Sequence, residues 1–431
     1  MTRALLRSLL AVVAVAAAGV AVEVHAQTIA VVHARALVDA NAEPVQDAVI
    51  VVRDGKIVAA GAVAVPKGAR IVDAKGQLVT TGLMNAGTQL GLVEINAIAD
   101  TSDPAVTTGP LGPAFDVQYA LNPNSVLLPR ARADGLTRAG VYPGGSAIAP
   151  FDGQGAVLRL SEGPELLDRP KAMMFAEIGG MAAVKSGGSR SAEWILLRNA
   201  LDEAAEHART HHSLAPRDQL LNHLDVVALR PVIAGRMPLA LLASRESDIR
   251  QAIRIAIDYK VRVVIFGGQE AWRVAPELAA HHIAVVLNPF DNLPATFDQI
   301  GARLDNAAIL DRAGVEIAFS VPGIHFSHDA GSALREAAGL AVANGLSRAA
   351  AFRALTINPA DIWGVADHYG AMTPGKDADL VIWDGDPLEP GSAPVMVMVR
   401  GQQVSLVTRQ SALAARYAPS HRNDPTPPGY R

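Results

Sequence analysis

Three times in succession a strand-length apolar run is followed by a stretch of helical periodicity. The pairs are residues 239–243 with 248–259, 261–266 with 269–281, and 283–287 with 302–313. A further strand-like run covers 315–321, and two helical stretches follow at 333–343 and 347–355. Such alternation demands crossover connections and so predicts a parallel sheet. At 431 residues it predicts an α/β chain built on a (β/α)8 TIM-like barrel.

The two ends do not follow this pattern. Residues 29–32, 48–52, 56–59 and 70–72 read as short strands rich in Val and Ile, with Asp54-Gly55 as a hairpin turn. Strand-like runs return at 380–383, 395–399 and 403–407. Residues 97–124 read as a long loop over the barrel mouth, and 181–190 as a second connection. Residues 191–211 have the periodicity of an amphipathic helix.

The N-terminus reads as an export signal. Arg3 and Arg7 precede an apolar run over 9–22, and Val24-His25-Ala26 supplies a small-x-small cleavage pattern before Gln27. The run is short of the ~20 residues a membrane span needs. Without adjacent arginines, general secretion is favoured over twin-arginine export. The expectation is an exported, periplasmic protein that leaves the membrane on cleavage. The absence of cysteine removes thiolate nucleophiles and cysteine-based metal sites. A net charge of −4 with interspersed signs argues against a nucleic-acid partner.

Two segments carry a family resemblance. The run Gly370-Ala-Met-Thr-Pro-Gly375-Lys376-Asp377-Ala378-Asp379-Leu380-Val381, closing at Asp384, resembles a motif of amidohydrolases. Its glycines have the spacing of a phosphate loop, but Asp377 replaces the required Ser or Thr and a strand follows. Residues 76–93 resemble the first barrel strand of the same superfamily, with Val79, Gly82, Leu83, Met84, Leu90, Gly91 and Leu92 in frame. Shorter likenesses occur at 135–140, 151–157 and 355–364, where Pro359 is expected to open a helix with Asn358 as its cap. The chain most resembles exported imidazolonepropionase-like amidohydrolases over about residues 27–407. The resemblance implies a β-sandwich of both termini, its halves at 27–80 and 369–410, flanking a barrel over 81–368. An export signal at 1–26 and a polar tail at 411–431 complete the division.

In the family, one or two divalent ions such as zinc, held by imidazole and carboxylate, activate a water, and a strand-8 aspartate takes its proton. Here the first-strand histidine positions hold Gly87 and Gln89, after Asn85. The strand-5 pair falls on Leu242 and Ser244, the strand-6 position on Gly267, and the strand-8 acid on Ser320 to Gly323, without a carboxylate. Glycine offers no donor, and neutral Gln or Ser are poor zinc ligands. No metal or other cofactor is expected.

Glu177 is the carboxylate that aligns with a strand-4 position. Glu177, His325, His328 and Asp329 are therefore the candidates for residual catalysis, and Gln89, Ser244, Arg245 and Gln269 for substrate contact. His328 and His325 also read as solvated loop residues, and Arg245 as one end of a surface ion pair. His211-His212 and His281-His282 read as structural residues at helix ends. Asp152-Gly153-Gln154-Gly155 reads as a glycine-rich turn, and neither Gly-Gly-Ser segment forms a G-x-S-x-G elbow.

Three functions stay open. The first is a metal-free, non-catalytic relative that binds a small amide- or peptide-like ligand, or pairs with an active paralogue or its own copy. The second is a hydrolase of C–N bonds in cyclic amides or dipeptides through a non-standard site. The third is a scaffold component of the cell envelope.

Overall fold

The computed structural model describes residues 28–95, 98–146, 150–210, 219–291, 293–321 and 327–418. The expected export signal, His211, His212, His325 and the end of the polar tail lie outside these residues. No helix among the described residues is long and apolar enough to cross a membrane.

From the N-terminus, β1 (Ile29–Ala36), β2 (Val45–Arg53), β3 (Lys56–Gly61), β4 (Arg70–Asp73) and β5 (Leu78–Thr81) belong to one sheet. The Asp54-Gly55 turn joins β2 to β3 with φ of 52° and 74°. Two successive positive φ values are what a tight hairpin of right-twisted strands requires. Then come β6 (Leu83–Thr88), β7 (Leu136–Val141), β8 (Phe151–Arg159), β9 (Leu167–Glu177), β10 (Leu239–Ala243), β11 (Val263–Gly267), β12 (Ala284–Leu287) and β13 (Ile317–Phe319), the barrel sheet. Finally β14 (Leu380–Trp383), β15 (Pro394–Val399) and β16 (Gln402–Gln403) return to the first sheet, where β14 pairs with β5 through Leu380 and Thr81. One accessory sheet is thus shared by both ends of the chain, around a core that includes Ile50, Val79, Leu380 and Met398.

The barrel is TIM-like, with one departure from eight parallel strands. Strand β8 runs antiparallel to both β7 and β9, while β6–β7 and the pairs from β9 to β13 are parallel. Connections of 142–150 and 160–166 are too short to hold a crossover helix, so direction must reverse at each. Strand β13 lies against β6 and brings the sheet nearly to closure.

Local expectations fare unevenly. Helices Glu246–Tyr259, Ser332–Ala343 and Arg348–Leu355 stand where the periodicity puts them. The connection at 181–190 instead contains the helix Gly180–Lys185, and of the run 403–407 only the first residue pairs in a strand. Asp152 to Gly155 lie inside β8 and form no turn. Thr356, not Asn358, is the N-cap of helix Ile357–Ile362, and Pro359 falls in its first turn, where a missing N–H costs nothing. The Asn358 amide donates to the Ile317 carbonyl at 2.8 Å and ties this helix to β13.

The two sheets are joined through Arg138 of β7, which is fully buried. Its guanidinium donates to Asp168 at 3.1 Å, to Asp377 at 2.7 Å and to Asp379, and lies 4.9 Å from the centroid of Tyr369. The Tyr369 hydroxyl donates in turn to the Gly82 carbonyl at 2.6 Å, between β5 and β6. Removing one member of a buried ionic network strands the others without countercharge, at about 3–5 kcal/mol. An Arg138→Met variant is expected to lose stability of that order in urea unfolding, far more than Arg209→Met on the exposed face of helix Arg190–Thr210.

Candidate functional site

The parallel strands deliver their C-terminal ends to one side, where a cavity of about 740 Å³ opens. Tyr142 enters it after β7, Glu177 from the end of β9, and Ser244 and Arg245 after β10. Gly267 and Gln269 enter from β11, Asn288 and Asp291 after β12, and Ser320 after β13. Catalytic and binding groups of such barrels come from these ends.

Of the candidate residues, Glu177, Leu242, Ser244, Arg245, Gly267 and Gln269 share this cavity wall. Gln89 does not, because it packs under the loop after β7, with Nε2 3.4 Å from where a Cβ on Gly144 would stand. His328 points elsewhere, its Nε2 donating to the Glu94 carbonyl at 3.1 Å, and Asp329 pairs with Arg130. Glu177, His328 and Asp329 therefore form no joint site, and His325 lies outside the described residues. The histidines at 281 and 282 border a separate cleft at the opposite ends of the strands, with Glu316 and Asp361.

Gly87 faces the barrel interior, where space has closed around it. A Cβ there would stand 3.0 Å from Ser320 Cβ and 3.2 Å from Phe266 Cε1. Aromatic rings fill the floor: Phe175 lies 5.4 Å from Tyr142, 5.1 Å from Phe266 and 5.8 Å from Trp363 between centroids. The Trp363 indole donates to the Ala86 carbonyl at 2.9 Å, which holds its ring across the strands. A zinc centre needs three or more imidazole, thiolate or carboxylate donors on a common point. No group of three or more His, Asp or Glu able to hold a metal occurs among the described residues. The described donors do not fit a divalent ion.

What the wall does hold is a graded set of polar groups. Asp291 accepts from Gln269 Nε2 and Asn288 Nδ2, each at 3.0 Å, and burial raises its carboxyl above the usual range. With its nitrogen on Asp291, the Gln269 amide turns Oε1 away, and that buried oxygen has no partner among the described residues. Arg190 is clamped by Asp248 and Asp298, each at 2.5 Å, and Asp298 also accepts from the Gly180 amide at 3.1 Å. The side chains of Glu177 and Arg245 make no hydrogen bond or ion pair among the described residues.

Behind Glu177 stands Asp152 of β8, 3% exposed, accepting from the Ser146 amide at 2.8 Å. Burial pushes its carboxyl up to about 7; the Ser146 amide and Lys185 oppose the rise, and the charge of Glu177 adds to it. Burial likewise raises the Tyr142 hydroxyl, helped by Asp152 and Glu177, so it stays a donor at neutral pH. Sequence reasoning missed Tyr142, Asp152, Asn288 and Asp291. A polar residue just past a strand-like run, as in Val141-Tyr142 or Leu287-Asn288, was the available signal.

Barrel, shared terminal sheet and a cavity at the strand ends together define an amidohydrolase-like architecture, and the chain carries an amidohydrolase-family region. The profile of the Amidohydrolase family matches residues 251–408. The chain is 23% identical over 376 residues to amidohydrolase tasK of Hapsidospora irregularis, covering 78% of itself but only 37% of that protein. Among solved structures it resembles an amidohydrolase from Thermotoga maritima MSB8, with a TM-score of 0.78 and 26% identity over 88% of this chain and 99% of that one. A phenylurea hydrolase B shares the fold alone, at a TM-score of 0.54 and 14% identity over 88% of this chain and 97% of that one.

The Asp152 environment has a measurable consequence. The folded protein keeps a proton that the unfolded chain releases above 3.8, so this residue's contribution to stability declines from about pH 4 to about pH 7. Asp152→Asn is expected to match the parent at pH 4, to become progressively more stable than it towards pH 7, and to keep a constant margin above. Thermal unfolding across that range measures it. Glu193 and Glu316, also raised to about 7, are present in both proteins and cancel in the difference.

Proposed function

We propose that this protein is a metal-free member of the superfamily, exported to the periplasm, that binds a small amide- or peptide-like ligand in the barrel-mouth cavity. The observation that carries the reading is at Gly87. The position that delivers a metal-binding histidine in the family has no side chain, and Phe266 and Ser320 occupy the space one would enter. The strand-end positions 244, 267 and 320 supply hydroxyls and a glycine, not imidazole or carboxylate.

Ligand binding is favoured over scaffolding because the mouth is open and its polar groups are unevenly satisfied. An amide offers an N–H for the unpartnered Gln269 oxygen and a carbonyl for Arg245. A buried acceptor without a donor costs about 1–3 kcal/mol, a cost that such a ligand removes. The second reading, a hydrolase of C–N bonds through a non-standard site, rests on Glu177, a carboxylate facing the cavity and unpaired among the described residues. It is the weaker reading, since no side chain among the described residues hydrogen-bonds to Glu177, and Asp152, the acid behind it, does not line the cavity.

Metal content of the purified protein, by mass spectrometry with and without added zinc, tests the proposal. The expected result is less than stoichiometric metal and an unfolding temperature indifferent to zinc. One bound ion per chain that resists dialysis would overturn the reading.

A further inference from the structure

The floor of the cavity has an electrostatic imbalance that the family resemblance does not account for. Three carboxylates reach its wall, at Glu177, Asp291 and Asp298, against two guanidiniums, Arg190 and Arg245. Asp291 is met by two side-chain amides, while Asp298 and Arg190 neutralise each other. The Glu177 carboxylate is left without a hydrogen-bond or ion-pair partner among the described residues. Gln269 Oε1 is a second acceptor without a donor among the described residues, on a residue only 6% exposed. Beside them stand the rings of Tyr142 and Phe266, whose centroids are 6.2 Å apart. Aromatic faces carry negative quadrupole density and attract cations, more strongly where water is excluded.

Unmatched acceptors, a carboxylate that no described side chain pairs and aromatic walls share one complement: a positively charged group rich in N–H donors. We propose that the cavity floor is a subsite for a primary ammonium group of the ligand, with Glu177 as its counter-ion, Gln269 Oε1 as a further acceptor and Tyr142 and Phe266 as walls. The inference rests on the ligand-binding reading above and gives the ligand an orientation. Its amino end goes down to β9, and its carbonyl or carboxylate end lies towards Arg245 beyond β10.

One protein cation competes for the same field. Lys185 Nζ and Glu177 Oε2 lie 3.0 and 3.4 Å from the point where a Cβ on Gly145 would stand. The ammonium is committed elsewhere, donating to the Ser146 carbonyl at 2.6 Å, and forms no ion pair with Glu177. Lys185 thus weakens the attraction for a bound cation without filling the subsite. The groups facing Asp152 are Tyr142 from the end of β7, Glu177 from β9, and Lys185 from helix Gly180–Lys185. When Asp152 loses its proton near neutral pH, the negative field behind Glu177 grows, and the affinity for an ammonium rises with it.

The test uses phenethylamine and N-acetylphenethylamine, which differ in the charge and donor count of one nitrogen, titrated calorimetrically into the mature protein near neutral pH. Phenethylamine is expected to bind about tenfold more tightly than its acetylated form. Glu177→Gln is expected to erase that preference, and Lys185→Met to enlarge it, with circular dichroism confirming that both variants fold. Equal or tighter binding of the acetylated probe overturns the ammonium subsite and leaves the amide-binding reading in place. No binding of phenethylamine at millimolar concentration also overturns it, as does a preference that survives Glu177→Gln.

Discussion

A single guanidinium holds this molecule's two sheets in register. Arg138 leaves β7 and meets Asp377 and Asp379 just before β14, together with Asp168 at the start of β9. Asp379 is bound from a second side, since the Arg400 amide donates to it at 2.8 Å. Asp377 also accepts from Lys56 of β3 at 2.7 Å. Three carboxylates and one arginine cannot be buried together unless geometry and hydrogen bonds are complete, so position matters more here than net attraction. The Ala-Asp-Leu motif at 378–380 is therefore explained by location: Asp379 is the point at which the accessory sheet is fastened to the barrel.

The barrel interior obeys a different constraint, that of packing. Trp363 reaches under β7 and β8 so closely that a Cβ on Gly140 would stand 2.3 Å from its ring, and one on Gly155 3.1 Å. Small residues on the strands make room for large rings inside, and the rings in turn close the space beside Gly87. Floor and wall divide the labour. The floor is largely aromatic, and most polar groups gather at the strand ends, where a ligand can reach them. Glu177 lies at the boundary between the two layers, which is why its charge is felt by both Tyr142 and Asp152.

How much of this was legible in the sequence differs by physical origin. The parallel half of the barrel, from β10 to β13, was legible because strand and helix periodicities alternate there without interruption. The antiparallel β8 was not, since its reversal is set by the lengths of two connections and leaves no periodic trace. Glycines within it resembled a turn, although they serve to admit Phe115 and Trp363 beside the strand. For the site, alignment to a motif placed Glu177, Ser244, Arg245 and Gln269 on one wall. The same alignment placed Gln89 there, and the loop at 142–146 covers it instead. Asp152 and Asp291 follow from burial and from pairing across turns and between strand ends, which strand and helix periodicity does not encode.

The accessory sheet has a consequence for the order in which the chain can fold. Strand β5 is complete by Thr81, but its partner β14 begins only at Leu380, so one edge of the sheet waits for nearly the whole chain. Until then β5 presents unpaired backbone beside apolar Leu78 and Val79, the kind of edge on which strands of other chains add. Closing so long a loop adds little entropy beyond that of a medium one, because the cost grows only with the logarithm of length. The delay is thus one of timing more than of energy. The strands made before the barrel are sealed only by strands made after it.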